Sequence, residues 1–376
     1  MEKFLPEICT IQYGFPFDSA KFSTSEGMPL IRIRDVVRGY SETFTTEEYK
    51  EEYIVSKDDL LIGMDGEFNI AKWGETPALL NQRVCRLFPT SEVDKNYLFY
   101  FMPSALKRIE EKTPFVTVKH LSAKELNKVK VPLPPLDEQR RIAAVLDKIS
   151  GLIAKRREQL DKLDELVKAR FVEMFGLPGT DKFGWGLIAL GNVCDINPKK
   201  SHDKRLGSGV RLSFIPMPAV SETGEIDVSA IKTYDEVKTG FTYFAENDVL
   251  FAKITPCMEN GKGAIAKGLY NGIGFGSTEF HVLRPVSGKT NPHWIYALTT
   301  FPQFRVDAEN SMSGSAGQRR VPASFLENYR VAVPPITLQE EFAACGEETH
   351  KSKLTIQQSL DKLEVLKKAL MQQYFE

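Results

Sequence analysis

The sequence predicts an α+β molecule: two strand-rich α/β domains alternating with two long helices that pair as an antiparallel coiled coil, with an internal pseudo-two-fold. Three observations lead there. First, segment 131–176 returns in register 200 positions later with 14 identities in 46 positions. Among them are Val131/Val331, Pro134/Pro334, Pro135/Pro335 and Gln139/Gln339, and Leu160-Asp161-Lys162-Leu163 against Leu360-Asp361-Lys362-Leu363. Second, both copies carry apolar residues at alternating steps of four and three, the period of a coiled-coil seam. Third, the remaining segments are short apolar or alternating runs bounded by Gly, Pro, Asp or Asn, which is how strands are punctuated. The chain divides accordingly into 1–130, 131–176, 177–330 and 331–376.

In the first domain, runs at 28–38, 59–64 and 83–88 read as strands and 96–112 as a helix. Val131 to Pro135 is extended, because a residue preceding proline is pushed out of the α region. Asp137 is placed to cap the next helix, with acidic Glu138 in its first turn. Ile142, Leu146, Ile149, Ile153, Arg156, Leu160, Leu163, Val167, Arg170 and Met174 then form an unbroken stripe. Gly176 and Pro178 end it. Residues 137–174 span roughly 57 Å at about 1.5 Å per residue.

The second domain repeats the order, with strands at 210–215, 248–254 and 278–284 and a helix over 291–309. Leu5, Ile8-Cys9 and Ile11 parallel Leu190, Val193-Cys194 and Ile196. Arg86-Leu87-Phe88-Pro89 parallels Val282-Leu283-Arg284-Pro285, and Tyr97-Leu98-Phe99-Tyr100 parallels Trp294-Ile295-Tyr296-Ala297. The second rod has a polar early seam (Gly346, Thr349, Lys353) and a firm later one at Ile356, Leu360, Leu363, Leu370 and Tyr374, with Leu366 flanking Lys367. A lone helix with such a stripe leaves it in water, so the stripe needs a partner, and the other copy is the nearest candidate. A helical hairpin that merely staples the domains is the alternative.

Composition is ordinary for a globular protein, 42% hydrophobic and 26% charged. Net charge is −1, where a nucleic-acid binder is expected to carry a basic footprint. The four segments carry −2, +1, +2 and −2, so any affinity for DNA must come from local arrangement or from a partner. Five cysteines, odd in number and without a CxxC pair, argue against a disulfide framework or a zinc site and for a reducing cytoplasm. No signal peptide and no membrane-length apolar run is evident.

Catalytic motifs are missing: there is no H-E-x-x-H, G-x-S-x-G or phosphate loop. Gly272-Ile273-Gly274-Phe275-Gly276 leads into Ser277–Val282, which reads as a strand rather than a helix, so the glycine run reads as a turn. Asn197-Pro198 lacks the aromatic that stacks on a flipped base. The histidines are scattered, and Glu48-x-Lys50 and Glu110-x-Lys112 match nuclease triplets no better than chance does. No enzyme activity, cofactor or metal is expected. What remain are glycine-flanked polar loops: 63–69 and 117–120 in the first domain, 253–263 and 313–320 in the second. Glycine lets backbone approach a ligand, and Arg, Lys, Asn and Gln pair with base edges and phosphates. The candidate DNA-contacting residues are Arg32, Arg34, Asn69, Lys119 and His120, then Lys253, Asn260, Lys262, Gln318, Arg319 and Arg320. Ordinary hairpin turns with solvated charges remain the alternative.

Over essentially its whole length the sequence resembles the specificity (S) subunits of Type I restriction-modification enzymes. The resemblance is carried by Val131-Pro-Leu-Pro-Pro-Leu-Asp-Glu-Gln-Arg-Arg-Ile-Ala143 and its duplicate from Val331 to Gln339. Gly63-Met-Asp-Gly-Glu-Phe68, Phe251 to Lys262 and Gly314 to Val321 support it. It implies two target-recognition domains, each reading half of a bipartite asymmetric DNA site, and helices that dock modification subunits, two of them, with a restriction subunit joining. The helices then act as a ruler, since two readers one duplex turn apart are separated by roughly 34 Å. Methyl transfer and cleavage belong to the partner subunits. A scaffold that spaces two protein-binding modules, with no DNA involved, is the rival reading. The polar early seam of the second rod departs from the first copy.

Overall fold

The structure, a computed structural model, describes residues 1–74, 76–113, 119–315 and 317–375. Contacts divide the chain into two compact units, Met1–Arg157 with Gln358–Glu376, and Glu158–Gln357. Each long helix therefore contributes one half to each unit.

The two units repeat one topology. In the first, an antiparallel sheet runs in the order Cys9–Tyr13, Val84–Pro89, Leu60–Gly63, Asn69–Lys72. In the second, the order is Cys194–Ile196, Phe280–Pro285, Val249–Ala252, Gly263–Ile265. Register is preserved as well: Cys9 faces Pro89 as Cys194 faces Pro285, and Leu60 faces Leu87 as Val249 faces Leu283. A second sheet in each unit contains one parallel pair, Met28–Ile31 with Ala78–Leu80 and Arg211–Ile215 with Ile273–Gly276. A two-stranded ribbon leads into each long helix, Glu2–Phe4 with Lys130–Pro132 and Leu187–Ala189 with Arg330–Ala332.

The long helices span Leu136–Phe175 and Ile336–Phe375, 40 residues each and so about 60 Å long. Within the first unit, Ile142, Ala143 and Leu146 share a core with Tyr97, Phe101, Leu370 and Phe375, and further along Arg157 meets Glu364 at 2.7 Å. Advancing along one helix moves back along the other, so the pair is antiparallel. The second unit has the same sense: Phe171 and Phe175 pack edge-on against Phe342, and Asp164 meets Lys353 at 2.7 Å. Ile142, Leu146, Ile149, Ile153 and Leu360 are buried, and Leu160, Leu163, Val167, Leu363 and Leu370 are half-buried. Full burial of a side chain such as Leu146 is worth about 1.5–3 kcal/mol.

Four local expectations are revised. The run 28–38 is not one strand, because a helix, Ile33–Arg38, follows the strand Met28–Ile31. Buried Asp35 accepts the Arg32 N–H at 2.9 Å, and Gly39, at φ +76°, takes the left-handed turn that ends the helix. The helix expected over 291–309 breaks into Pro292–Thr300 and Pro302–Asn310, since Pro302 holds Phe301 at ψ 138°. Asp137 lies inside the first turn rather than at the cap, and the Pro135 carbonyl accepts from Glu138 and Gln139. Lys367 keeps the seam position the spacing gives it, half-buried with its ammonium 5.8 Å from the Tyr100 ring, while flanking Leu366 is exposed. The glycine run 272–276 is mostly the strand Ile273–Gly276, where a Cβ on Gly274 would lie 2.1 Å from the Phe244 ring. Its glycines admit an aromatic side chain.

Candidate nucleic-acid interface

One end of each four-stranded sheet carries a loop cluster, and the two clusters are built on the same frame. In the first unit, Leu121 N–H donates to Met64 O, Gly66 N–H to Lys119 O and Met64 N–H to Arg83 O. In the second, Val321 N–H donates to Lys253 O, Thr255 N–H to Arg319 O and Lys253 N–H to Glu279 O. His120 thus corresponds to Arg320, Lys119 to Arg319, and Arg83 to Glu279.

The chemistry mounted on that frame differs. In the first unit His120 meets Asp65 at 2.5 Å and Arg83 at 3.0 Å, and Arg83 lies 3.7 Å from Asp65. Arg83 adopts φ +70°, an uncommon backbone conformation for a long side chain. In the second unit Arg320 forms a two-pronged pair with Glu279, 2.9 Å on each arm, which holds the Glu279 carboxyl below its ordinary range. Lys253 stands beside them, its ammonium pKa lowered by burial while Glu279 opposes the shift.

The remaining candidates fall into three groups. Arg32 and Arg34 are exposed at the start of the short helix, with Arg34 3.7 Å from Asp35. Lys119 and Arg319 are tied down, Lys119 to the Glu110 carbonyl at 3.0 Å and Arg319 to Glu309 at 3.2 Å. Asn260 and Gln318 are exposed, and half-buried Lys262 has no side-chain partner among the described residues. Asn69 donates to Glu67 O at 3.0 Å, while its Oδ1 is buried without a partner. Among the described residues only three buried side-chain atoms lack a partner, and two, Asn69 Oδ1 and Glu259 Oε2, sit in these loops. Such unpaired buried acceptors are uncommon in folded proteins. Of the loop residues named from the sequence, Thr117, Val118 and Ala316 lie outside the described residues.

Sequence reasoning missed the residues that support the loops. Arg305 is buried and donates to Thr299 O at 2.6 Å, Met258 O at 2.8 Å and Gly261 O at 3.3 Å, which fixes the turn carrying Asn260 and Lys262. Burial pushes its guanidinium pKa down to about 10. Buried His281 faces Val321 O through Nε2 at 2.8 Å and Asn197 through Nδ1 at 3.0 Å, bracing the rung that bears Arg320. Asn197 itself adopts φ +55° and accepts the Val282 N–H, a structural role for that Asn-Pro pair. Arg83 and Glu279 had one usable signal: each immediately precedes the same strand of its copy.

Two copies of one α/β unit, each presenting a loop cluster at one end of its sheet, define a tandem-repeat protein. The family model of the Type I restriction modification DNA specificity domain matches residues 1–164 and 183–364. The chain belongs to that family. It is 41% identical over 220 residues to the EcoEI specificity subunit of Escherichia coli, covering 56% of this chain and 34% of the relative. It is 40% identical over 222 residues to the EcoAI specificity subunit of the same organism, covering 56% and 35%. The chain thus spans about a third of the length of the curated relatives it matches. The S subunit of a Type I restriction-modification system from M. genitalium superposes with a TM-score of 0.60 at 14% identity, covering 100% of this chain and 96% of that one, a likeness of fold. No described helix is long and apolar enough to cross a membrane.

Proposed function

We propose that this chain is the DNA-recognition subunit of a Type I restriction-modification complex. Each domain reads one half of a bipartite asymmetric site on double-stranded DNA, and the paired helices set the gap between the halves. It catalyses no reaction itself. Two modification subunits dock on it and carry out methyl transfer, a restriction subunit joins for cleavage, and the assembly works in the cytoplasm. The four segments 1–130, 131–176, 177–330 and 331–376 are its two recognition domains and two helical regions.

The observation that carries this reading is one loop frame built twice, with different hydrogen-bonding side chains on each copy, in a chain matched by the specificity-domain family. A protein spacing two identical partners has no need for the copies to diverge there; a reader of an asymmetric site does. Near-neutral charge fits if partner subunits close on the duplex and supply most phosphate contacts, which dominate affinity. The test is selection from a randomised duplex pool by the chain assembled with modification subunit. Retained duplexes share two short sequences separated by a fixed gap; retention without a shared sequence refutes the reading.

A further inference from the structure

Arg320 is a tightly held cation of the second cluster that still reaches solvent. Its backbone is held from two sides, since it exchanges hydrogen bonds with Ser313 at 2.9 and 3.1 Å and pairs with Ile254 in a β-bridge. A guanidinium has five N–H donors. Nε and Nη2 each donate to the Glu279 carboxylate at 2.9 Å, and Nη1 donates to the Gln318 carbonyl at 3.0 Å. Two donors are left, one on each terminal nitrogen, and 42% of the side chain remains exposed.

We propose that Arg320, oriented by Glu279, reads a guanine in the second half-site through those two remaining N–H groups; this rests on the DNA-recognition reading above. Guanine alone among the bases offers two neighbouring acceptors, N7 and O6, on its major-groove edge. Adenine opposes one acceptor with a donor, thymine has a single acceptor and a methyl group, and cytosine presents a donor. A phosphate contact is disfavoured by the same geometry. Glu279 cancels the positive charge a phosphate would attract, yet leaves the directed donors that a base edge needs. Attraction for phosphate is left to cations such as Lys262. Glu279 is a positioning residue, because it acts only through Arg320.

The test compares wild type, Arg320→Lys and Glu279→Gln, each assembled with modification subunit, by sequencing duplexes retained from a randomised pool. Wild type shows a guanine at the affected position of its second half-site. Arg320→Lys keeps the charge and loses the fork, so preference for that guanine falls on the order of tenfold to a hundredfold. The other positions and the first half-site stay as they were. Glu279→Gln weakens the same preference by a smaller factor, with guanine still favoured. An unchanged motif in Arg320→Lys overturns the proposal. So does a uniform loss of retention in both variants with base preferences intact, which marks a phosphate contact or a purely structural pair. A wild-type pool with no motif refutes the recognition reading itself, and is recognised before any variant is compared.

Discussion

At the residue scale, the buried polar groups decide more than the exposed charges do. His281 lies between Asn197 and the Val321 carbonyl, close to Lys253 and Glu279, and burial holds its pKa below the ordinary histidine value. The folded state refuses a proton that the unfolded chain accepts near pH 6.5, so stability present above that pH is lost as pH falls toward the folded value. His293, lowered by burial beside Lys267 and Glu347, adds to the slope. Depressed carboxylates such as Asp203 beside Arg205 and Glu279 beside Arg320 add their losses only below about pH 4. Thermal midpoints measured from pH 7.5 to 5 should therefore fall, and His281→Gln should flatten part of that fall even where it lowers stability at pH 7.5. An identical slope in the variant would assign the acid sensitivity elsewhere. The composition reveals none of this, since a scattered histidine looks alike whether buried or solvated.

At the scale of elements, the duplicated glutamine explains itself. Gln139 accepts the Asp94 N–H at 2.8 Å and donates to Glu92 O and Pro134 O. Gln339 accepts the Asn291 N–H at 2.8 Å and donates to Lys289 O and Pro334 O. Each is fully buried and ties the start of a long helix to the capping residue of the helix packed beside it. Replacing either by Ala orphans three backbone groups, a loss of about 2–4 kcal/mol seen as a lower denaturant midpoint. The two variants should lose similar amounts, and a loss under about 1 kcal/mol in either would show that water replaces the clamp. The repeat was legible because register and period survive in sequence: the seam, the Cys9/Cys194 and Pro89/Pro285 pairing and the long helices all follow from spacing. The short helix after Ile31 was not, because its signals are a single Asp35 carboxylate and Gly39. Nor was the polar seam of the second helix, where Lys353 looks like a defect until Asp164 is found 2.7 Å away. The loop sites were legible as segments but not as partners. Lys119 and Arg319 read as free cations, yet each meets an acidic side chain on the helix nine or ten residues before it.

At the scale of the whole molecule, the account depends on the helices as a spacer. Each runs 40 residues without interruption and belongs to both compact units, so a length change within it alters the chain path between the two loop clusters without touching either. Inserting four residues at the unit boundary, after Glu158 and in the facing stretch before Gln357, adds about 6 Å of helix. That exceeds one base-pair rise of about 3.4 Å. The decisive measurement is the motif selected from a randomised duplex pool by the inserted chain and the parent, each assembled with modification subunit. The account predicts two unchanged half-sequences separated by at least one more base pair; an unchanged gap, or altered half-sequences at the old gap, would contradict it.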